Sequence, residues 1–396
     1  MGDYIRWSPP FYGGPPAAGD TAKSALFLAL NRNKRSIRLD LKREEGCAAL
    51  LRLVAEHDVV LESFRPGVLD RLGVGYERMR EANPGIVCCA ISGYGQTGPK
   101  QEASGHDMNY LGLVGLLGLT GERGGSPIQA AGQIADLGGG ALMAAFGILA
   151  ALRERDGAPV RQSPTDPAPA RDRDSDRSGS GEGQVVDVSM ADGALSWLAM
   201  VAGAYFADGN VPRRGELLLA GAVICYRPYE CADGWMTLGA LEPKFWQAWC
   251  RGVEREDLVE RQFEAPGSDA HARVVEIFKA RTRAEWEQFA REHDCCLEPV
   301  LELDEALASE LVREREMVVT LDQPGVEGGV RQLGLPVKLS RTPGAHNRLP
   351  GPALGEHTEE VLASVGYSPE EIAALLESGA AAGPAANAGQ GATFRA

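Results

Sequence analysis

The sequence predicts an α/β protein in which helices cover a parallel β-sheet, followed by a smaller α+β region. Strand-like and helix-like segments alternate between residues 36 and 95, which is typical of a parallel sheet with helical crossovers. From about residue 215 to 318 the pattern changes to short strands with turns, and then to helices rich in tryptophan and charge. The chain has 396 residues, of which 44% are hydrophobic, and this is enough for two domains with separate cores.

The alternating region supplies the elements of the parallel sheet in order. Residues 1–30 carry prolines and glycines and look irregular, whereas 36–41 alternate as a strand does. The next two segments are a helix with apolar residues at helical spacing (44–57) and a short apolar strand (58–64). A helix begun by proline and ended by Asn-Pro (66–84) and a buried strand (85–95) follow them. Ligands bind such sheets beyond the carboxyl ends of the strands.

Later segments complete the predicted fold. The helix from about 139 to 155 is apolar nearly all round, so we expect it to be buried. Residues 158–183 hold four prolines and mixed charges without an aromatic residue, which predicts a disordered surface insertion. A strand and a helix follow at 184–206. Near the end, Ser368, Pro369 and Glu371 indicate a capping box that starts a final helix, and the Ala/Gly tail after it is predicted to be disordered.

Composition excludes several classes of protein. A formal charge of −15 argues against general nucleic-acid binding, because phosphate contacts need a basic surface. No apolar run approaches the roughly 20 residues that span a bilayer, and the N-terminus lacks a signal pattern, so we expect a cytoplasmic protein without a membrane partner. Histidines and carboxylates do not cluster at the spacing of metal ligands, so no metal is expected. The eight cysteines include no C-x-x-C and are expected to be reduced and mostly buried: 47, 88, 89, 225, 231, 250, 295 and 296.

Residues 104–140 hold the candidate acid/base pair, His106 and Asp136. Each lies close to glycine and at the edge of an apolar run, where an acid/base couple could form. Asp136 could equally cap the helix that begins near Gly138, and a lone histidine is often a structural, hydrogen-bonded residue. The glycines around both favour a ligand site, because they let backbone approach a ligand at a cost in stability.

Two further places could bind phosphate. Residues 31–42 hold one aspartate and five basic residues: Arg32, Lys34, Arg35, Arg38 and Lys42. The segment forms either a phosphate-binding rim or a charged edge strand that blocks aggregation. The loop at 92–99, with Gly93 and Gly95, lies at the carboxyl end of a predicted strand. It could hold phosphate or form a tight turn, since neither a P-loop nor a complete G-x-G-x-x-G is present.

Seven segments together resemble the family III coenzyme A transferases, which include the α-methylacyl-CoA racemases. They follow the family's own order over most of the chain: NRNKRSIRLDLK, ESFRPGVLDRLGVGYE, ISGYGQTGP, GHDMNYLGLVG, IADLGGGALMAAFGILAAL, GQVVDVSM and LGEHTEEVL. The resemblance implies a large Rossmann-like domain built from both chain ends and a small α/β domain. It also implies an interlocked homodimer with active sites at the subunit interface. The ligand would be a CoA thioester, used as substrate, with no permanently bound cofactor.

On this basis the chain divides into four parts. Residues 1–205 and 330–378 would form the large domain, with 158–183 as an insertion, and 215–318 the small one. Residues 379–396 would be the disordered tail. The chain lacks the opening βαβ segment of the family, so we expect either a start codon placed too far downstream or a degenerate member.

The resemblance allows two chemistries. In the transferases, an aspartate in the position of Asp136 attacks the acyl-CoA carbonyl and forms a covalent intermediate. In the racemases, a histidine matching His106 and the same aspartate lie on opposite faces of the α-carbon and exchange its proton. Glu242 matches a racemase glutamate that orients the histidine, although alone it would be a surface residue at a loop end. Racemases usually carry an arginine at the position of Ala90, and in this respect the chain looks more like a transferase.

We therefore expect a racemase acting on 2-methylacyl-CoA, with a CoA transferase as the alternative. A third possibility is an inactive CoA-binding dimer scaffold. Arg32, Lys34, Arg35 and Arg65 would contact the CoA phosphates, together with the loop of Gly93 and Gly95.

Overall fold

Three parallel strands form the predicted sheet in a computed structural model, which describes residues 2–14, 23–157, 179–345 and 348–384. They are β1 (Val59–Glu62), β2 (Val87–Ser92) and β3 (Val185–Ser189), and lie in that order. Both strand pairings are parallel. The central strand β2 is buried over most of its length, as expected of an apolar strand in a covered parallel sheet. The prediction of a parallel sheet is therefore confirmed.

Helices surround this sheet. Helix α7 (Met143–Asp156) packs on β2 and β3, and α2 (Glu44–Ala55) packs on α4 (Tyr76–Ala82). A π-helical segment, Ile134–Leu142, leads directly into α7. The helices of this part are α1 (Ala25–Asn31), α2 (Glu44–Ala55), α3 (Val68–Arg71), α4 (Tyr76–Ala82), α5 (Asp107–Leu113), α6 (Leu116–Leu119), α7 (Met143–Asp156), α8 (Met190–Ser196) and α9 (Ala199–Asp208).

Two predictions about the first 84 residues are wrong. The single helix predicted at 66–84 is divided into α3 and α4, because Gly73 adopts a φ of +78° that ends the first helix. Residues 1–30 are also not wholly irregular, since α1 begins at Ala25 and buries Phe27 and Leu28 in a small core.

The strand predicted at 36–41 does not join the sheet. It is extended, as its alternation suggests, but its backbone groups bond to the end of the chain. The Asp40 N–H donates to the Ala380 carbonyl at 2.8 Å, and the Ala382 N–H donates to the Arg38 carbonyl at 3.1 Å. Residues 379–384 are thereby ordered and Ala380 is fully buried, so the tail prediction is wrong for them. Residues 385–396 lie outside the described part of the chain.

A second sheet lies in the middle of the chain. Strands β4 (Tyr226–Cys231), β5 (Gly234–Gly239) and β6 (Leu297–Pro299) are antiparallel in that order. Three fully buried tryptophans, Trp246, Trp249 and Trp286, lie in its core. They come from helices α10 (Pro243–Gly252) and α12 (Arg283–Glu292), and α11 (Asp269–Lys279) packs on β4. The predicted succession of short strands and tryptophan-rich helices is confirmed, while the bounds 215–318 stay a prediction.

The chain then returns to its beginning. Helices α13 (Leu303–Ala308) and α14 (Glu310–Glu314) precede a hairpin of β7 (Val318–Leu321) and β8 (Val330–Leu333), and α15 (Thr358–Ser364) and α16 (Pro369–Ser378) follow. The capping box of α16 is confirmed, because the Glu371 carboxylate accepts the Ser368 N–H at 2.7 Å. Residues 158–178 of the predicted insertion lie outside the described residues.

The helical stretch from the π-helical segment through α7 is not buried as predicted. Leu142, Phe146 and Leu149 are 59%, 72% and 67% exposed. Its far side packs on β2 and β3, but no part of the chain that the structure describes covers these residues. Ile134–Asp156 is, by length and composition alone, apolar enough to cross a membrane, a property it shares with core helices of soluble proteins.

Candidate active site

His106 stands immediately before α5. Its backbone N–H donates to the side chain of Asn109 at 3.0 Å, and its carbonyl accepts the Asn109 N–H at 2.8 Å. Asn109 therefore ties down the backbone of His106 at the start of the helix, while His106 itself remains exposed. This position suits a proton-transfer group, which must be held at its backbone yet reach a ligand.

Asp136 lies in the first turn of the π-helical segment and is half-buried. We weighed the possibility that it caps this helix, but the helix begins before it, at Ile134. The free N–H groups of Ala135 and Asp136 instead donate to Asp107 Oδ1, at 2.6 and 3.0 Å. Asp136 therefore does not cap these N–H groups, and the helix-cap interpretation is not supported.

The surroundings of Asp136 favour its protonated form. Burial raises the pKa of Asp136, and the nearby Asp107 raises that pKa further, while His106 lowers it. His106 is thus close enough to act on the carboxyl electrostatically. Tyr110 lies beside the same group, because Asp136 contributes to raising the pKa of Tyr110, whose main cause is burial. A carboxyl with a raised pKa is suited to accept and return a proton near neutral pH.

The glycine run 138–140 serves helix packing. A Cβ on Gly139 would lie 2.6 Å from the Met190 carbonyl oxygen, and one on Gly193 would lie 2.1 Å from the Gly139 oxygen. Backbone therefore meets backbone where the π-helical segment crosses α8. The glycine content favours a ligand site in the sequence, but the structure places α8 beside Gly139 instead.

The glycine loop at the end of β2 is also packed against protein. A Cβ on Gly93 or on Gly105 would lie 2.7 Å from the Tyr110 ring, whose hydroxyl donates to the Gly105 carbonyl at 2.6 Å. Gly95 has a φ of +86°, and the next N–H, of Gln96, donates to both oxygens of Asp187 at 3.1 Å. The tight-turn interpretation of this loop is supported, while its phosphate contact stays a prediction.

The predicted CoA phosphate contacts are only partly available. Arg32 donates to the side chain of Gln332 at 2.9 Å, and Lys34 donates to Asn31 at 2.9 Å. Arg35 pairs with Glu360 at 3.2 Å. Arg65 is exposed, and its guanidinium forms no hydrogen bond or ion pair within the described ranges.

Glu242 is not brought to His106 within the chain. It is exposed and occupies the N-cap position of α10, in the antiparallel part. Its charge contributes to raising the pKa of Cys296, for which burial is the main cause. In the described part of the chain, no hydrogen bond or ion pair joins Glu242 to His106.

All eight cysteines are free, and six of them are buried. Burial raises the pKa of Cys88 and of Cys89 to about 11, which makes them poor nucleophiles. Within residues 2–14, 23–157, 179–345 and 348–384, no group of three or more His, Cys, Asp or Glu side chains could hold a metal ion.

Sequence analysis missed four residues that build this site: Asp107, Asn109, Tyr110 and Asp187. The first three follow His106 within one helical turn, so polar and aromatic residues grouped after a candidate histidine were an available signal. Asp187 gave no signal, because its partner Gln96 lies 91 residues away in the chain.

The fold and the site define a class of mixed α/β proteins of the CaiB/BaiF type. A CAIB/BAIF family protein from Brucella suis superposes with a TM-score of 0.71, at 26% identity, over 91% of this chain and 88% of that chain. Rv3272 from M. tuberculosis gives a TM-score of 0.70 at 25% identity, over 90% of this chain and 88% of that chain.

Sequence comparison then gives the family. The family model of CoA-transferase family III matches residues 1–163 and 174–358. Over 358 residues the chain is 36% identical to alpha-methylacyl-CoA racemase of Mus musculus, covering 88% of this chain and 85% of the mouse protein. Over 383 residues it is 31% identical to succinyl-CoA:mesaconate CoA-transferase of Haloarcula marismortui, covering 92% and 87%. The chain belongs to CoA-transferase family III, as the resemblance predicted, and its relatives include both racemases and transferases.

Proposed function

We propose that the protein epimerises 2-methylacyl-CoA or a related 2-substituted acyl-CoA thioester. The observation that carries this proposal is the joining of α5 to the π-helical segment, which places an exposed histidine in electrostatic reach of a half-buried carboxyl with a raised pKa. A transferase needs only the carboxyl, whereas proton exchange at one carbon needs two groups. The similarity to the mouse racemase supports the same choice.

His106 and Asp136 are the two proton-transfer groups in this scheme. One of them removes the α-proton of the thioester and the other returns a proton to the opposite face, which inverts the configuration. The enolate between these steps needs electrostatic stabilisation. The pKa of Asp136 is shifted towards neutral pH, so its carboxyl can serve as acid in one direction of the reaction and as base in the other.

We propose an interlocked homodimer as the active form. Large apolar side chains are exposed along α7 and α9, with Phe146 at 72%, Met200 at 78% and Phe206 at 80%. Large apolar side chains that are left exposed in number mark interaction sites on proteins. Interlocking would also bring Glu242 of one subunit to His106 of the other, where a carboxylate would orient the imidazole.

The remaining parts of the proposal concern the ligand and its setting. The CoA thioester is the substrate, and no permanently bound cofactor is needed for this chemistry. We propose that the exposed Arg65 contacts a CoA phosphate, and that Arg32, Lys34 and Arg35 are further contacts. Cytoplasmic localisation stays a prediction from the sequence.

A CoA transferase that uses Asp136 alone is the second candidate. Ala90, buried on β2, stands where the resemblance places an arginine in racemases. Relatives such as succinate--glutarate CoA-transferase of Agrobacterium fabrum, 32% identical over 384 residues, share this family. In this scheme the Asp136 carboxylate attacks the thioester carbonyl and CoA leaves as thiolate. The thiolate then attacks the aspartyl carbonyl of the anhydride, which releases the first acid and leaves an aspartyl thioester that passes CoA to a new acid.

Mass spectrometry of 2-methylacyl-CoA incubated in heavy water, with and without a carboxylic acid acceptor, separates the two candidates. We expect deuterium at the α-carbon without an acceptor. Replacing either His106 or Asp136 by alanine should lower this exchange by about a hundredfold to ten-thousandfold. His57→Ala, at an exposed histidine just after the end of α2, is the matched control and should exchange normally. A new thioester that forms only with acceptor, without α-exchange, would establish the transferase instead.

A further inference from the structure

Asp107 is a buried carboxylate at the centre of the site. It is only 5% exposed, although it directly follows the exposed His106. Its Oδ1 accepts the N–H of Ala135 at 2.6 Å and of Asp136 at 3.0 Å, across 28 and 29 residues of chain. One side chain in the first turn of α5 therefore holds the segment that carries Asp136.

These bonds also relieve the Asp136 carboxyl of a capping role at the start of the helix. The first turn of a helix leaves N–H groups without partners, and an acidic side chain near that turn usually satisfies them. Here Asp107 satisfies two of them from a different helix. The carboxyl of Asp136 is therefore available for chemistry.

The charge of Asp107 acts on the same carboxyl. Burial is the largest cause of the raised pKa of Asp136, Asp107 adds to it, and His106 opposes it. The other ionisable groups on the elements packed against this segment are Tyr110 of α5, Asp192 of α8, Asp187 of β3, Cys88 and Cys89 of β2, and Arg153, Glu154, Arg155 and Asp156 in the last turn of α7. Asp192 is exposed, and Asp187 is bound to the Gln96 N–H.

We propose that Asp107 is a positioning residue that fixes Asp136 opposite His106 and makes the Asp136 carboxyl a better proton acceptor. The inference rests on the proposed function insofar as Asp136 is the reacting carboxyl, which is true of both candidate reactions. It assigns Asp107 no contact with substrate through its side chain, since that side chain is buried against the π-helical segment.

Two variants separate the two effects of Asp107. Asp107→Asn keeps an oxygen acceptor for the two N–H groups but removes the negative charge. The pKa of Asp136 should then fall, and the acid limb of the rate profile should move to lower pH, because a carboxylate with a lower pKa stays ionised down to a lower pH. Asp107→Ala removes the acceptor as well, and the displaced carboxyl should lower kcat on the order of a hundredfold.

The measurement combines two readouts on the full-length protein. Titration of [4-13C]aspartate-labelled protein by NMR, with the Asp136 signal assigned by Asp136→Asn, gives the midpoint of that carboxyl without any substrate. The pH profile of α-deuterium exchange gives the effect on the reaction. Asp192→Asn is the control, since it neutralises an exposed aspartate on the neighbouring α8 and should leave both readouts unchanged.

The outcomes are distinct. An Asp136 midpoint in Asp107→Asn equal to that of the wild type would overturn the inference, and so would a lowered midpoint with an unmoved acid limb. If the wild type exchanges no α-proton and transfers no CoA, the proposed function fails. The NMR midpoint then still decides whether Asp107 acts on Asp136, and it does so in Asp107→Asn even where Asp107→Ala does not fold.

Discussion

At the scale of single residues, Asp136 shows a conflict between reactivity and stability. Its pKa is raised by burial and by Asp107, so the folded protein holds the ionised carboxyl less favourably than the unfolded chain does. The stability linked to such a group is fully present below the pKa of the unfolded chain, about 3.9, and is lost as the pH rises through the folded pKa. At neutral pH, Asp136 therefore costs stability.

Asp136→Asn should consequently make the protein more stable at pH 7, while it lowers α-exchange by at least about a hundredfold. The gain should shrink as the pH falls towards 4, because the wild-type carboxyl then becomes protonated as well. Urea unfolding at a series of pH values measures both effects. The surface variant Asp192→Asn serves as control, and an Asp136→Asn protein less stable than the wild type at pH 7 would contradict the argument.

At the scale of elements, the contact between the π-helical segment and α8 determines where Asp136 lies. Backbone approaches backbone at Gly139 and Gly193, and a Cβ at either position would overlap the other helix. Sequence patterns predicted the strands β1, β2 and β3, because apolar runs bounded by turn residues are local signals. The Asp107 bonds span 28 and 29 residues, and such distant pairings leave no local pattern.

Gly139→Ala should push the π-helical segment away from α8, since the new Cβ would lie 2.6 Å from the Met190 carbonyl oxygen. We expect a loss of about 1–3 kcal/mol in the free energy of unfolding, typical of overpacking. We also expect a lower rate of α-exchange, because Asp136 lies three residues before the substitution.

Gly118→Ala is the matched control, because it lies in α6 with no atom within 4 Å of the new Cβ. It should be neutral or slightly stabilising, as alanine favours helix over glycine. Thermal unfolding of both variants decides the matter, and equal stability of the two would show that the helices can separate at no cost.

At the scale of the whole molecule, the sequence predicted correctly which segments are apolar but not always what covers them. The pattern of 139–155 predicts a buried helix, yet Phe146 and Leu149 are exposed, because an apolar pattern does not say what covers each side of a helix. Residues 36–41 were expected in the sheet, yet they bond to residues 380–382, since alternation predicts an extended strand without naming its partner. The sequence predicts His106 and Asp136 as the candidate pair because both lie close to conspicuous glycine and apolar runs.

Phe146→Asp tests the proposed homodimer. A charge on the exposed surface of α7 should prevent burial of that surface against a second subunit, and the variant should sediment as a monomer and lose α-exchange. Phe263→Asp, at a phenylalanine that is 56% exposed in the antiparallel part, is the matched control and should behave as the wild type does. Analytical ultracentrifugation measures the mass, and an active wild-type monomer would contradict the proposal.

The bonds between residues 38–40 and 380–382 also set an order of events during synthesis on the ribosome. The antiparallel part, whose core residues lie between Val223 and Leu297, can form as soon as those residues have emerged. The segment after α1 waits for its partner until almost all of the chain has been translated. Nascent chains halted before residue 380 should therefore expose this segment to proteases while the tryptophan core is already protected. The N-terminal part of the chain can thus complete its folding only after residues 380–382 have been translated.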